Sequence, residues 1–296
     1  MSSSTEARRR VLRLTPRLIA AALIVPPLGF VLVFFVVPLV YLLYGSFTPA
    51  SPTSLFGSGF ALTHYAAIVG DDFYRFVIER TLFVATIVVA LALLLGYPTA
   101  MLMARLSARG RLVMLAVMML PLMVSNVIRA YGWIAILGRR GLVNGTLLSA
   151  GAIEAPLPLL FGIEAVALGL LTILLPYMTV SIANTLASLD KVYREAAASL
   201  GAGPLRTFIH VTWPLSSPGV AAGMMITLFL MLSAYVTVSL LGGPRYKLLV
   251  SMVFDQVVAF QWPRAAAFAF VLLMIAMAGG LLIQLVLRPQ RVGGRG

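Results

Sequence analysis

The sequence predicts an all-helical, polytopic membrane protein with six transmembrane spans. Of its 296 residues, 61% are hydrophobic and only 10% are charged, whereas a soluble domain has about 25% charged residues. One soluble core of this length cannot hide so much apolar surface, so a water-soluble fold and a disordered chain are both excluded. The apolar runs are continuous and do not alternate, which is typical of membrane helices and not of membrane strands.

Six stretches are long enough to cross a bilayer, because a membrane helix needs about 20 mostly apolar residues. They cover residues 18–44, 81–104, 112–137, 165–187, 217–241 and 265–287. The first has 27 residues, which exceeds the about 7–15 apolar residues of a cleavable signal peptide. We therefore predict a retained first helix, bent by Pro26, Pro27 and Pro38. A short amphipathic helix is expected in the middle of residues 242–264.

Charge predicts the orientation of these spans. With a cytoplasmic N-terminus, the inside segments hold 14 of the 22 Lys and Arg residues, and the outside segments hold 7. The positive-inside rule then places both termini in the cytoplasm, including basic tails at 1–17 and 288–296. The net charge of +13 is therefore interpreted as an orientation signal and not as a nucleic-acid footprint. Residues 1–296 are predicted to form a single transmembrane domain.

The loop between the fourth and fifth spans is the least ordinary segment of the chain. Asp190 can cap a helix that contains three consecutive alanines. Gly201 and Gly203 follow as a stop and a turn. Pro204 suits the first turn of a second helix, and Pro214 is expected to end it. The pattern predicts a helix–turn–helix at the cytoplasmic membrane surface.

This segment resembles the EAA loop of ABC importer permeases, and we call residues 188–216 the coupling loop. The family pattern is Glu-Ala-Ala, three residues, Gly, nine residues and an Ile-x-Leu-Pro ending. Here Val211 and Trp213 replace the usual Ile and Leu, and both replacements are also large and apolar. The positions that the resemblance assigns to ATPase coupling are Glu195, Ala196, Ala197, Gly201, Ala202 and Pro214.

The resemblance extends over most of the chain from about residue 80 onward. Residues 128–144, 175–190, 240–243 and 254–267 are similar to spermidine/putrescine-type permeases, and in particular to their B-type subunit. This implies the type I ABC importer permease fold, with six helices per subunit and both termini inside. It also implies a transport subunit of the bacterial inner membrane and not an enzyme.

The resemblance further implies the partners. They are a second permease subunit, two ATPase subunits, an extracytoplasmic solute-binding protein and the lipid bilayer, but no nucleic acid. No cofactor is expected on this chain, because ATP and Mg²⁺ belong to the ATPase. Glu195 is expected to pair with a basic group of the ATPase, and Gly201 to let the two backbones approach. The alternative is that Glu195 pairs with Lys191 in its own helix. The expected substrate is a polyamine, or a related organic cation or amino-acid-like compound.

Polar residues inside the spans are candidates for the translocation pathway. Arg129 is the one basic residue well inside a span, about 25 Å along a continuous helix at 1.5 Å per residue, and it is either a structural anchor or part of a gate. The main candidates are Ser125, Asn126, Arg129, Tyr177, Asn184, Tyr235 and Asp255, and Thr179, Ser233 and Thr237 are further candidates of the same kind.

An ion-coupled carrier or channel is the alternative function. Such a protein would need an acidic site within the membrane, but Glu79 and Glu164 lie at the edges of spans and no Asp or Glu lies in the middle of one. No catalytic cluster is visible, and no metal site is predicted because His64 and His210 lie on opposite sides of the membrane.

Overall fold

A computed structural model describes residues 16–51, 54–190, 192–244 and 246–287, which are helical and contain no strand. The predicted basic tails lie almost entirely outside these residues. The helices, in chain order, are α1 (Pro16–Val31), α2 (Val37–Ser46), α3 (Thr63–Gly70), α4 (Asp72–Arg105), α5 (Ala108–Met123), α6 (Asn126–Leu137), α7 (Leu142–Ser149), α8 (Ile163–Ser188), α9 (Val192–Ser199), α10 (Pro204–Thr207), α11 (Trp213–Leu232), α12 (Tyr235–Gly242), α13 (Leu249–Val258) and α14 (Trp262–Val286).

The predicted all-helical membrane architecture is confirmed. Within the described residues, five helices are long and apolar enough to cross a membrane, and a bent pair makes a sixth if it counts as one span. The first of them, Leu23–Ser46, has no buried residue in its most apolar window and packs on the rest of the chain through α2 against α14. The short helix expected within residues 242–264 is α13.

The core lies where α4, α8 and α11 cross. Small residues permit this crossing: a Cβ atom added at Gly96 would lie 2.9 Å from Met178 Cγ, and one added at Gly219 would lie 2.3 Å from Thr185 Oγ1. Small residues at membrane helix interfaces allow backbones to approach closely. Ser181 Oγ donates to Gly219 O at 2.9 Å across the same interface. The three helices therefore form one tightly packed unit.

The third predicted span is not one straight helix, so the expectation of a continuous helix over residues 112–137 is wrong. Helix α5 ends at Met123, Val124 is extended with φ −89° and ψ 135°, and α6 begins at Asn126. The axes of Ala108–Met123 and Asn126–Ser149 differ by 93°. Pro121 lies in the last turn of α5, three residues before the extended Val124. Arg129 consequently lies in the first turn of α6, and its estimated depth along a continuous helix is also wrong.

The fifth span begins earlier than expected and is followed by a break. Pro214 does not end a helix: a continuous helix runs from Pro204 to Leu232. A π-helical turn, Phe208–Thr212, precedes Pro214, and Trp213 N–H bonds back to Phe208 O. This wider turn accommodates a proline ring that would clash in a regular α-helix. Residues 217–241 accordingly form two helices, because the chain breaks at Ser233 before α12.

The first helix shows the same arrangement. Its π turn, Leu32–Val36, ends two residues before Pro38, and Val37 N–H bonds back to Leu32 O. Two prolines in different spans are thus accommodated by the same local device. The sequence indicated where the backbone would deviate, and the structure shows that the deviation is a widened turn and not a helix end.

Candidate functional site

The coupling loop folds as the predicted helical hairpin. Asp190 Oδ1 accepts from Val192 N–H at 3.0 Å, which fixes the start of α9. At the other end, Gly201 N–H donates to Ala198 O at 2.9 Å and Ala202 N–H donates to Ala197 O at 3.0 Å. This pair of bonds is a Schellman motif, in which the residue after the helix adopts a left-handed conformation.

Gly201 is a glycine because of its backbone conformation. Its φ is +78°, and among the described residues no atom lies within 4 Å of an added Cβ. A side chain at a positive φ is strained even where space is available. The expected close approach of a partner backbone at Gly201 remains a prediction, because the crowding would have to come from outside this chain.

Most side chains of the hairpin are exposed. Helix α9 has no buried residue, and Glu195 and Ala196 are exposed while Ala197 and Ala202 are partly covered. Two large apolar side chains on it, Leu200 and Leu205, are 88% and 72% exposed. Exposed apolar residues beside a charged group are typical of a binding surface. Lys191, the alternative partner of Glu195, lies outside the described residues.

An aromatic cluster joins the hairpin to the core, and sequence reasoning missed it. The ring of Tyr97 in α4 lies 5.4 Å from that of Phe208 and 5.3 Å from that of Trp213. The Tyr97 hydroxyl and Ser216 Oγ are 2.7 Å apart and buried. Ser216 Oγ also donates to Trp213 O, so Tyr97 is the donor to Ser216. Pro214 therefore lies between two residues that hold the base of the hairpin against α4. The signal in the sequence that could have predicted this cluster was a single Tyr within an otherwise apolar span.

A second region, the elbow cavity, lies where the third span breaks. Its volume is about 570 Å³. It brings together four of the seven main pathway candidates. Two further candidates also line it, Ser233 at the break between α11 and α12 and Thr237 in α12. The main candidates in its wall are Asn126, Arg129, Tyr177 and Tyr235. Ser125, Asn184 and Asp255 are not among its lining residues, so the structure does not bring the whole set together.

Arg129 bridges the break and also lines the cavity. Its Nη2 donates to Val124 O at 2.7 Å and to Asn126 Oδ1 at 2.9 Å. The Val124 carbonyl belongs to the extended residue between α5 and α6, so the guanidinium holds the elbow together. Arg129 Nε and Nη1 are enclosed and have no partner in the part of the chain that the structure describes. Both interpretations of Arg129, anchor and gate, therefore retain support.

The last pathway candidate in the chain, Asp255, is engaged in a local ion pair. Asp255 Oδ2 accepts from Lys247 Nζ at 2.6 Å, and this ion pair ties α13 to the segment before it. Phe254, the preceding residue, stacks on Tyr235 with ring centroids 3.9 Å apart. The wall of the elbow cavity is thus supported by α13, while the Asp255 carboxylate is engaged beside it.

Comparison with known proteins identifies the architecture. Residues 4–289 match the family described as "Binding-protein-dependent transport system inner membrane component". The chain belongs to this family of permeases. It is 31% identical over 270 residues to the spermidine/putrescine transport system permease protein PotB of Salmonella typhimurium, covering 91% of this chain and 93% of PotB. It is also 31% identical over 271 residues to PotB of Escherichia coli K12, covering 91% and 97%.

A solved structure agrees in fold. A bacterial ABC transporter that imports the acidic polysaccharide alginate has a chain with a TM-score of 0.69 and 19% sequence identity, covering 92% of this permease and 96% of that chain. The type I ABC importer permease fold and the spermidine/putrescine-type resemblance are confirmed. The permease is a multi-pass inner-membrane transport subunit and not an enzyme, and the comparisons do not support an ion-coupled carrier.

Proposed function

We propose that this permease forms one half of the translocation pathway of an ATP-driven importer for polyamines or closely related small nitrogenous solutes. The substrate class rests on the PotB relatives, which are named for spermidine and putrescine transport. The solute is delivered by an extracytoplasmic binding protein, and it passes between this chain and a second permease subunit.

The single observation that carries the coupling role is the outward-facing hairpin. It is locally rigid, because α9 is fixed by Asp190 at one end and by the Gly201 turn at the other. Its base contacts α4 through Tyr97, so a movement of the hairpin is transmitted to the core. Glu195 is exposed, so a basic group of an ATPase subunit can reach it.

The remaining assembly follows from this role. Two ATPase subunits bind ATP and Mg²⁺ and supply the energy, while this chain binds no cofactor. The coupling loop and both termini lie on the cytoplasmic side, as the distribution of Lys and Arg favours. The elbow cavity, with Arg129 in its wall, contributes to the pathway from the opposite half of the molecule.

The experiment is reconstitution of the complete transporter in proteoliposomes. ATP inside the vesicles is expected to drive uptake of radiolabelled spermidine when the binding protein is supplied outside. Glu195→Gln is expected to weaken retention of the ATPase during purification and to lower uptake, because it removes the charge that pairs with the partner. Glu154→Gln is the matched control, since Glu154 is also exposed but lies in the loop before α8.

Three results would each contradict a part of the proposal. Uptake that proceeds with a proton gradient and without ATP would place the protein among carriers. Equal ATPase retention by the Glu195→Gln and Glu154→Gln variants would remove the coupling role of Glu195. ATP-driven uptake of a different solute, with no spermidine uptake, would correct the substrate class and leave the importer assignment intact.

A further inference from the structure

Three arginines from three different helices line one cavity beside the coupling loop. The cavity has a volume of about 670 Å³ and lies between the ends of α4 and α8 and the beginnings of α5 and α9. Its charged lining residues are Arg105, Arg111, Arg194 and Glu195. No ion pair joins Glu195 to these arginines in the part of the chain that the structure describes. The cavity wall therefore carries an excess of two positive charges.

Arg111 is the most informative of the three. Its Nε is enclosed and has no hydrogen-bond partner among the described residues. An enclosed guanidinium donor that lacks an acceptor is costly, and such a group in a native protein calls for a ligand or another explanation. Arg105 and Arg194 are more exposed, so their guanidinium groups are free to turn toward a shared anion.

The position of the cavity indicates what the anion does. A neighbouring cavity of about 350 Å³ runs beneath α9 and α10, and the two share Ala104, Arg105, Leu186 and Arg194 in their walls. An anion bound here would contact both the turn between α4 and α5 and the helix that carries Glu195. It would tie the movable hairpin to the bundle from the inner side, while the outer side stays available to a partner.

We propose that Arg105, Arg111 and Arg194 bind an anionic phosphate group and thereby hold the coupling loop against the bundle. Guanidinium groups pair with phosphate oxygens through two parallel hydrogen bonds, which suits a cluster of arginines. The cavity lies at the end of two spans, where the headgroups of anionic lipids are found. The phosphate comes from such a headgroup or from free phosphate, and the two sources share the same chemistry.

The test uses the full-length permease in phosphatidylcholine nanodiscs. In one arm, phosphatidylglycerol is titrated into the discs and the retained lipid is counted by native mass spectrometry. In the other arm, radiolabelled inorganic phosphate is added to discs of phosphatidylcholine alone. Arg111→Gln with Arg194→Gln is expected to weaken binding about tenfold in the arm that supplies the ligand, because two charge-assisted pairs are lost.

The matched control is Arg109→Gln with Arg206→Gln. These two arginines are exposed, lie at the same end of the bundle and do not line the cavity. The control pair is expected to bind phosphatidylglycerol or phosphate like the unaltered protein. Equal loss in both double variants would show general charge attraction and overturn the site, as would no loss in either. Equal retention of phosphatidylcholine and phosphatidylglycerol, together with no phosphate binding, would also overturn it. A thermal unfolding scan of each variant separates lost binding from lost folding.

Discussion

The coupling loop and the crossing of α4, α8 and α11 are held by different means. At the crossing, side chains are small and buried, and neighbouring helices touch each other's backbones. In the coupling loop, α9 buries no residue, and its shape comes from local hydrogen bonds. The crossing is therefore specified by this chain alone. The exposed residues of the loop are explained by contact with a partner protein.

Gly219 at the crossing and Gly201 in the coupling loop illustrate the difference between the two regions. Gly219 has no room, since an added Cβ would lie 2.3 Å from Thr185 Oγ1 and 3.0 Å from Ser181 O. Gly201 has room but needs a φ of +78°. A substitution at Gly219 therefore disrupts the packing between α8 and α11. A substitution at Gly201 strains the turn after α9 and obstructs the docking of a partner on it. Variants at the two positions test whether stability and coupling are separable.

The largest effect is expected for Gly219→Leu. The added side chain forces α8 and α11 apart and displaces the Ser181–Gly219 hydrogen bond, so the free energy of unfolding should fall by about 2–3 kcal/mol. Thermal unfolding in detergent, followed by tryptophan fluorescence, measures the change. Low expression with early unfolding is the expected phenotype, and every transport activity is lost with it.

Gly132→Leu is the control for this variant. Gly132 lies in α6, and in the described part of the chain no neighbouring element comes within 4 Å of its added Cβ. Leucine there is expected to leave the unfolding temperature unchanged or slightly raised, because leucine favours helix more than glycine does. If both variants unfold alike, close packing at the crossing is not what stabilises the bundle.

Gly201→Trp is expected to spare the fold and to stop transport. Strain at the turn is limited to about 1–2 kcal/mol, and no buried residue of α9 is displaced. ATP-driven uptake should fall at least tenfold, a loss of about 1.4 kcal/mol or more in coupling, while ATP hydrolysis continues. Uptake and hydrolysis by the same reconstituted complex measure the separation, and normal uptake would rule the coupling role out.

Gly201→Asn distinguishes the two reasons for a glycine here. Asparagine tolerates a positive φ better than most residues do. If only the turn conformation matters, this variant should retain most of the uptake that Gly201→Trp loses. If a partner backbone must approach closely, both variants should fail, which would confirm the contact that the resemblance implies.

The sequence predicted most of the fold, because the strongest signals in a membrane chain are long apolar runs. The fourth span, predicted at 165–187, is a helix over Ile163–Ser188. The hairpin was also predictable, because Asp190 and Gly201 form hydrogen bonds with residues only two or three positions away. What depends only on local backbone chemistry was visible in the sequence.

The breaks in the spans were not visible, because an apolar residue suits the membrane whatever its backbone conformation. Val124 is extended and yet reads as part of a continuous run. Pro214 was interpreted as a stop, although a π turn lets the helix pass. The contact between Tyr97 and Ser216 joins residues 119 positions apart, and no local pattern reports it. The elbow cavity depends on such contacts, so only part of the candidate set converged there.

Tyr97→Phe tests the point where the two compared regions meet. The substitution removes the hydrogen bond to Ser216 and keeps the ring contacts with Phe208 and Trp213. Hydrogen bonds between membrane helices contribute about 0.6 kcal/mol on average, so the loss of stability should be of that size. Ser216 still donates to Trp213 O, so no buried donor is stranded. A double-mutant cycle with Ser216→Ala isolates the pair, and additive losses would contradict it.

The smallest effect concerns His64, which is buried in α3 and belongs to neither region. Its Nε2 lies 3.0 Å from Thr48 O, to which it donates. Burial lowers the pKa of His64 below its ordinary value of 6.5; the Thr48 hydrogen bond partly offsets this, and Arg264 lowers the pKa further. The unfolded chain therefore binds more protons than the folded chain just below pH 6.5. Stability should be fully present above that pH and should fall as the pH is lowered through the folded pKa.

His64→Gln keeps a donor for Thr48 O without the titration, so its unfolding temperature should change less between pH 7 and pH 5. Because the coupling loop is held by its own local hydrogen bonds, the same acid shift should leave ATPase coupling of the two proteins equal. A pH-dependent difference in coupling between them would mean that the region around His64 and the coupling loop are not independent.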